Sequence, residues 1–111
     1  MGFKNKIVEN THLILCPQEI DEIAIKQFSL TKSLWVKKAV TTHILDFSET
    51  TSCNQKFYRV LIEFVTELEE QNKKIHSIHL SESLKGNFGQ GGLLKKMHYH
   101  QNPKEIFPFL A

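Results

Sequence analysis

The most constraining stretch of the chain lies between residues 42 and 80. Residues 42–47 (Thr-His-Ile-Leu-Asp-Phe) and 75–80 (Ile-His-Ser-Ile-His-Leu) are mainly apolar runs of strand length. Between them Phe57, Leu61, Phe64, Val65 and Leu68 recur at helical spacing, while Lys56, Arg59, Glu63, Glu67 and Glu70 lie mostly off that stripe. Two strands joined by about 14 helical residues make a parallel βαβ unit with a right-handed crossover. The run at 42–47 lacks clean alternation, which suits an interior strand covered on both faces. The unit sets the polar turn at 48–54 and the helix start at the C-terminal edge of a sheet, where α/β folds tend to bind. Ser52 followed by Gln55 fits a capping box and Asn54 is a rival cap; either starts the helix between 53 and 56. Tyr58 and Ile62 flank the stripe, as its wide margin or as a small contact patch.

The rest of the chain supplies the neighbours of this unit. Residues 3–8 form a short strand anchored by Phe3 and Ile7, and residues 11–16 a second one closed by Pro17; across Glu9-Asn10 they can pair as a hairpin. Ile20, Ile23, Ala24, Gln27, Phe28, Thr31, Leu34 and Trp35 fall at helical spacing, and Asp21 is placed to cap a helix reaching about residue 34. The large Phe28, Leu34 and Trp35 lay this helix flat on the sheet, with Trp35 read as core rather than as an exposed contact. Ser81 caps a short helix over 82–85, and Gly86, Gly89, Gly91 and Gly92 then loosen the chain. Leu93, Leu94 and Met97 mark a helical turn, His98-Tyr-His a small edge strand, and Pro103 the start of a last helical segment over 104–110 that Pro108 interrupts. There Ile106, Phe107, Phe109 and Leu110 close the core, or else pack on a partner or a twin subunit. The expected architecture is a single α/β domain over 1–111, with a mixed sheet of four to five strands and helices mainly on one face.

Composition narrows the function classes. With 41% hydrophobic residues the chain can bury a core without disulfides, so Cys16 and Cys53 read as free structural thiols of a reducing compartment. The net charge is +2 and the lysine pairs at 37–38, 73–74 and 95–96 are scattered, which argues against nucleic acid as partner. No apolar run approaches the roughly 18 residues that span a bilayer, and no signal segment opens the chain. A soluble, cytoplasmic protein is expected, without direct membrane insertion but able to dock on a membrane protein. The glycine-rich stretch matches neither phosphate-binding fingerprint. On a strand His76 and His79 point to opposite faces, and His98 and His100 share a face without a third ligand at a recognisable spacing, so no metal site is expected. Asp46 and Glu49 flank the central turn and could hold Mg²⁺; more simply, Asp46 satisfies backbone donors there. Neither cysteine sits in a CxxC motif or beside an evident base. The residues thus point to a non-catalytic protein with no cofactor.

The order of elements, together with His-Ile-Leu-Asp-Phe-Ser-Glu-Thr-Thr at 43–51 and Gly92-Leu93 with Leu94 and Met97, resembles the STAS domain across residues 5–110. This is the fold of bacterial anti-sigma factor antagonists, with cousins in stressosome proteins, in the cytoplasmic tails of sulfate transporters and in a subunit of a phospholipid-transport ABC system. The resemblance implies signal transduction and transcription regulation through protein–protein contact. The family opens the helix after the central strand with Asp-Ser-Ser-Gly, whose second serine is phosphorylated by a partner kinase that doubles as an anti-sigma factor. Here that motif is degenerate: Asn54, Gln55, Lys56 and Phe57 stand in its place, with Lys56 at the phospho-acceptor. Lysine cannot take the phosphate by that mechanism, and its charge is mildly disfavoured at a helix N-terminus. Of the nearby hydroxyls Thr50, Thr51 and Ser52, Thr51 and Ser52 foremost, each is a substitute phosphosite on one reading and an ordinary turn or cap residue on the other. The contact surface implied by the resemblance comprises Glu49, Thr50, Thr51, Ser52, Asn54, Gln55, Lys56, Tyr58 and Arg59. The implied partner is an anti-sigma factor or switch kinase, with room for a homodimer. Two alternatives stand beside this: an accessory STAS subunit of an ABC-type or anion transporter, docked on its ATPase, and a small-ligand sensor or enzyme at the sheet edge using Asp46, His43 and the glycine-rich loop.

Overall fold

The three strongest apolar runs become the three inner strands of one sheet. A computed structural model, which describes residues 2–88 and 92–107, places β1 (Lys4–Val8), β2 (Thr11–Leu15), β4 (Thr42–Asp46), β6 (Lys74–Ile78) and β7 (Tyr99–His100) in the order β1-β2-β4-β6-β7. β1 and β2 form the expected antiparallel hairpin. Its two-residue turn uses Glu9 and Asn10 at φ 48° and 64°, the positive values that suit the twist of a tight hairpin. All other neighbours in this sheet pair in parallel. A second sheet holds only β3 (Glu19–Ile20) and β5 (Ser52–Cys53), also parallel.

Register decides which side chains face which layer. His12, His43 and Ile75 lie in one row and Ile14, Leu45 and Ser77 in the next, on the face covered by α1 (Glu22–Val36) and α2 (Lys56–Glu70). Leu13, Ile44 and His76 lie on the other face, where Phe107 packs on Ile44 and Ile78. β4 is thus buried from both sides, as its unbroken apolar run required. The helix-side core is aromatic: Phe28 packs on Phe3, Trp35, Phe57 and Phe64 with ring centroids 5.0 to 5.2 Å apart. Each ring removed from water contributes about 1.5–3 kcal/mol.

The helices keep most of their expected caps and one of their expected faces. Asp21 caps α1, its carboxylate accepting the N–H of Ala24 at 2.9 Å. The Lys73 ammonium donates to the carbonyls of Val36 and Lys38 and so closes the C-terminus of α1, which runs past residue 34. Trp35 is core, as expected, but Leu34 and Ile23 are not: they are exposed, with Leu30. Ile25 and Val36 take the buried positions instead, and Lys32 pairs with Glu67 of α2 at 2.6 Å. The stripe Phe57, Leu61, Phe64, Val65 and Leu68 of α2 is buried as read from the sequence. β6 stops at Ile78 because His79 takes a positive φ of 60°. The Oγ of Ser81 accepts the N–H of Leu84 and opens α3 (Glu82–Phe88), longer than the expected 82–85. α4 (Leu93–Lys96) and α5 (Pro103–Ile106) complete the chain. Phe107 does close the second face, whereas the readings of Gly89, Gly91, Pro108, Phe109, Leu110 and the Ile106 side chain fall outside what is described.

Candidate functional site

The turn after β4 is anchored at every second or third residue. Asp46 ends the strand and its carboxylate accepts the N–H of Ser48 at 2.9 Å, the backbone-satisfying role read from the sequence. Phe47 is buried against Phe88, at 5.3 Å between centroids, and its carbonyl accepts the N–H of Thr50. Thr50 is itself buried and donates its hydroxyl to the carbonyl of Pro17 at 2.8 Å. The N–H groups of Thr51 and Asn54 donate to the carbonyls of Gln18 and Ile20. The segment before α1 therefore holds the turn before α2 like a short splint, through β3 and β5.

This splint changes the reading of the cap. Ser52 lies in β5 and makes no capping box; Gln55 occupies the N-cap position with a helical φ of −58° and no side-chain cap bond. Asn54 is the residue that contributes, its Oδ1 accepting the N–H of Lys56 at 2.9 Å. Lys56 opens α2, and its ammonium meets the Glu22 carboxylate in the first turn of α1 at 2.8 Å, both side chains about 70% exposed (69% and 70%). The hydrogen bond and the charge of Lys56 hold the Glu22 carboxyl below its usual range. Phe57, where the resemblance puts a glycine, is buried between Phe3 and Phe28.

What remains on the surface is a contiguous polar strip. Ser48, Glu49, Thr51, Ser52, Asn54, Gln55, Lys56 and Arg59 are exposed; Tyr58 is half-buried, packed edge-on against Phe88 at 5.0 Å. Of the residues expected in the contact surface, Thr50 alone is fully buried, so it positions the strip from below. Thr51 and Ser52 present their hydroxyls at the surface, that of Thr51 donating to the carbonyl of Gln18 at 3.3 Å. The thiols are electrostatically quiet. Burial pushes Cys53 up to about 12, with a hydrogen bond to Tyr58 acting the other way, and pushes the fully buried Cys16 well above its ordinary value. At neutral pH both stay protonated and weakly nucleophilic.

The residues of the sheet-edge alternative are not brought together. His43 faces the helix side and Asp46 the opposite side of the same strand. Asp46 lines a groove of about 330 Å³ with Lys4, Asn5, Lys6, Leu13 and Leu15, and Glu49 lines an adjoining hollow of about 110 Å³ that shares Lys4 and Leu15 with it.

Two histidine pairs escaped the sequence reading. His12 and His43 meet in the core, Nδ1 to Nδ1 at 2.9 Å, and Nε2 of His12 lies 3.1 Å from Oδ1 of Asn5. Nε2 of His12 therefore carries the proton, its Nδ1 accepts, and Nδ1 of His43 donates. Burial pushes His12 down to about 4 and His43 to about 3, with Lys38 and, for His43, His12 and Lys73 adding to the effect. His76 meets His100 at 2.7 Å, with the His98 ring 5.5 Å away; burial and these two neighbours push His76 down to about 4. The parallel pairing of two-residue β7 with β6 creates this cluster, and no sequence spacing announces such a pairing. The 4.9 Å between the His76 and His100 centroids is that of an in-line N–H···N bond, and no group of three His, Cys, Asp or Glu among the described residues is arranged to hold a metal ion.

No protein-family model and no curated protein matches the sequence. Solved structures do. The anti-sigma factor antagonist SpoIIAA in its unphosphorylated form superposes with a TM-score of 0.80 at 22% identity, over 97% of this chain and 96% of that one. A STAS-domain anti-sigma factor antagonist protein from Planctomyces limnophilus gives 0.82 at 13% identity, over 99% and 98%. The murine anion transporter Slc26a9 gives 0.68 at 12% identity, over 96% of this chain but 19% of that one. The chain has the STAS-domain fold.

Proposed function

We propose that this protein is a non-catalytic interaction module that works as anti-sigma factor antagonists do, by binding a protein partner through the turn at 48–56 and the first turn of α2. The observation that carries the reading is the state of position 56. The resemblance puts a phospho-acceptor serine there, and a phosphate would add about two negative charges at the head of the helix. This chain instead fixes a cation, clamped to Glu22 on the neighbouring helix. The strip around it is exposed, polar and rigidly splinted, which suits a preformed docking surface. Binding is then constitutive or set by partner level, without a phosphate switch at that residue. The nearest family role makes the partner an anti-sigma factor or switch kinase of a bacterial regulatory pathway in the cytoplasm.

A tagged pulldown from the native cell, with soluble and membrane fractions kept apart, tests this. The expected result is capture of a kinase-like or anti-sigma protein from the soluble fraction by the wild type, and its loss with Lys56→Glu. The likeness to a segment of an anion transporter supports a second reading, docking on a transporter assembly. Co-purification of an ATPase or permease with membranes would favour that reading and displace the first.

A further inference from the structure

Helix α1 carries two apolar stripes. Ala24, Ile25, Phe28, Trp35 and Val36 are buried. On the opposite side Ile23, Leu30 and Leu34 are 81%, 71% and 64% exposed. At about 100° per residue these three lie within roughly 40° of one another around the axis, so they fall along one outward line, with Lys26 and Gln27 between Ile23 and Leu30. A helix that is apolar on two sides calls for cover on both. α2, by comparison, leaves only Ile62 among its large apolar residues exposed.

The charges at the two ends of α1 indicate what covers it. Glu19 and Asp21 lie at its N-terminal end beside Glu22, which Lys56 already pairs, while Lys37, Lys38 and the Lys73 ammonium gather at its C-terminal end, where Glu67 and Glu70 share a hollow with Lys37. Laid parallel, two such helices set like charges against like. Laid antiparallel, each acidic end meets a basic end and the helix dipoles oppose. We propose that the Ile23–Leu30–Leu34 ridge is the contact between two copies of this chain, antiparallel about a two-fold axis through Leu30. Such an isologous arrangement sets Leu30 on its own symmetry mate, Ile23 against Lys37, and Lys26 against Leu34 of the second copy. The lysine stems cover the apolar side chains while the Lys37 ammonium reaches Glu19 and Asp21. The interface is small beside the roughly 800 Å² per partner of stable complexes, so the dimer is concentration-dependent. It shares with the exposed strip only the Glu22–Lys56 pair, and replacing Leu30 touches no residue of that strip.

Sedimentation equilibrium from about 1 to 500 µM tests the pairing. The mass is expected to rise from the 12.9 kDa of one chain towards twice that value. Leu30→Glu, at an exposed position that leaves the melting temperature unchanged, should weaken association at least about tenfold. Under mild oxidation Leu30→Cys should give a disulfide-linked dimer above the wild-type background. Ile23→Cys should not, because its two copies sit about 21 Å apart along antiparallel helices. A monomer at every concentration, a dimer indifferent to Leu30→Glu, or equal crosslinking from residues 23 and 30 would each overturn the proposal.

Discussion

At the scale of single residues, Phe57 and Lys56 have different tasks at the start of α2, one packed in the core and one at the surface. A glycine at 57 leaves room under the helix start; phenylalanine fills it and ties the first turn of α2 to Phe3 and Phe28. Phe57→Ala should cost about 3–5 kcal/mol, the usual range for emptying a buried aromatic site. Urea denaturation with an unchanged slope is the check, and a cost below about 1 kcal/mol would mean the ring is not packed as described. Lys56 faces outward and has no such packing role. Its replacement should alter binding and leave the fold intact, and that separation is what makes it a usable probe. The substitutions at 54–57 were legible in the sequence because each residue type changes charge or volume at a known place. The histidine pairs were not, since His12–His43 and His76–His100 depend on strand register and on a two-residue edge strand.

At the scale of elements, the α2 stripe was legible in the sequence and the pairing of β3 with β5 was not. The α2 stripe runs over about three turns and fixes a single buried face. β3 and β5 have two residues each, too few to show a period, so their pairing went unseen; of the two rival caps read there, Asn54 contributes and Ser52 does not. That difference is measurable. Asn54→Ala should cost about 1 kcal/mol through loss of its bond to the N–H of Lys56, as Asp21→Ala should at the start of α1. Ser52→Ala should be neutral within about 0.5 kcal/mol. A cost for Ser52→Ala equal to that of Asn54→Ala would restore the capping box. α1 misled the sequence reading for another reason: with apolar residues on two sides, its periodicity does not say which side faces the sheet.

At the scale of the molecule, the neutral histidines make stability fall in acid. The folded-state values of His12, His43 and His76, at about 4, 3 and 4, lie below the ordinary 6.5, so the unfolded chain binds more protons as pH falls below about 6.5. Their contribution is present above that pH and is lost as pH drops towards the folded-state values, by up to about 1.4 kcal/mol per pH unit for each histidine. Unfolding free energies at pH 7 and pH 5 should therefore differ by at least about 2 kcal/mol, and the double replacement His12→Leu with His43→Leu should flatten the slope. A flat profile in the wild type would mean these rings charge freely in the fold.

If the strip at the head of α2 docks a partner, the sign of charge at position 56 governs affinity, and a binding titration reads that sign. The captured partner, purified, would be titrated with wild type, with Lys56→Glu, and with Lys74→Glu at the opposite end of the sheet, where β6 begins. Lys56→Glu should lose at least tenfold in affinity, about 1.4 kcal/mol, and Lys74→Glu nothing. Equal affinities for wild type and Lys56→Glu, or an equal loss from both reversals, would contradict docking at that strip.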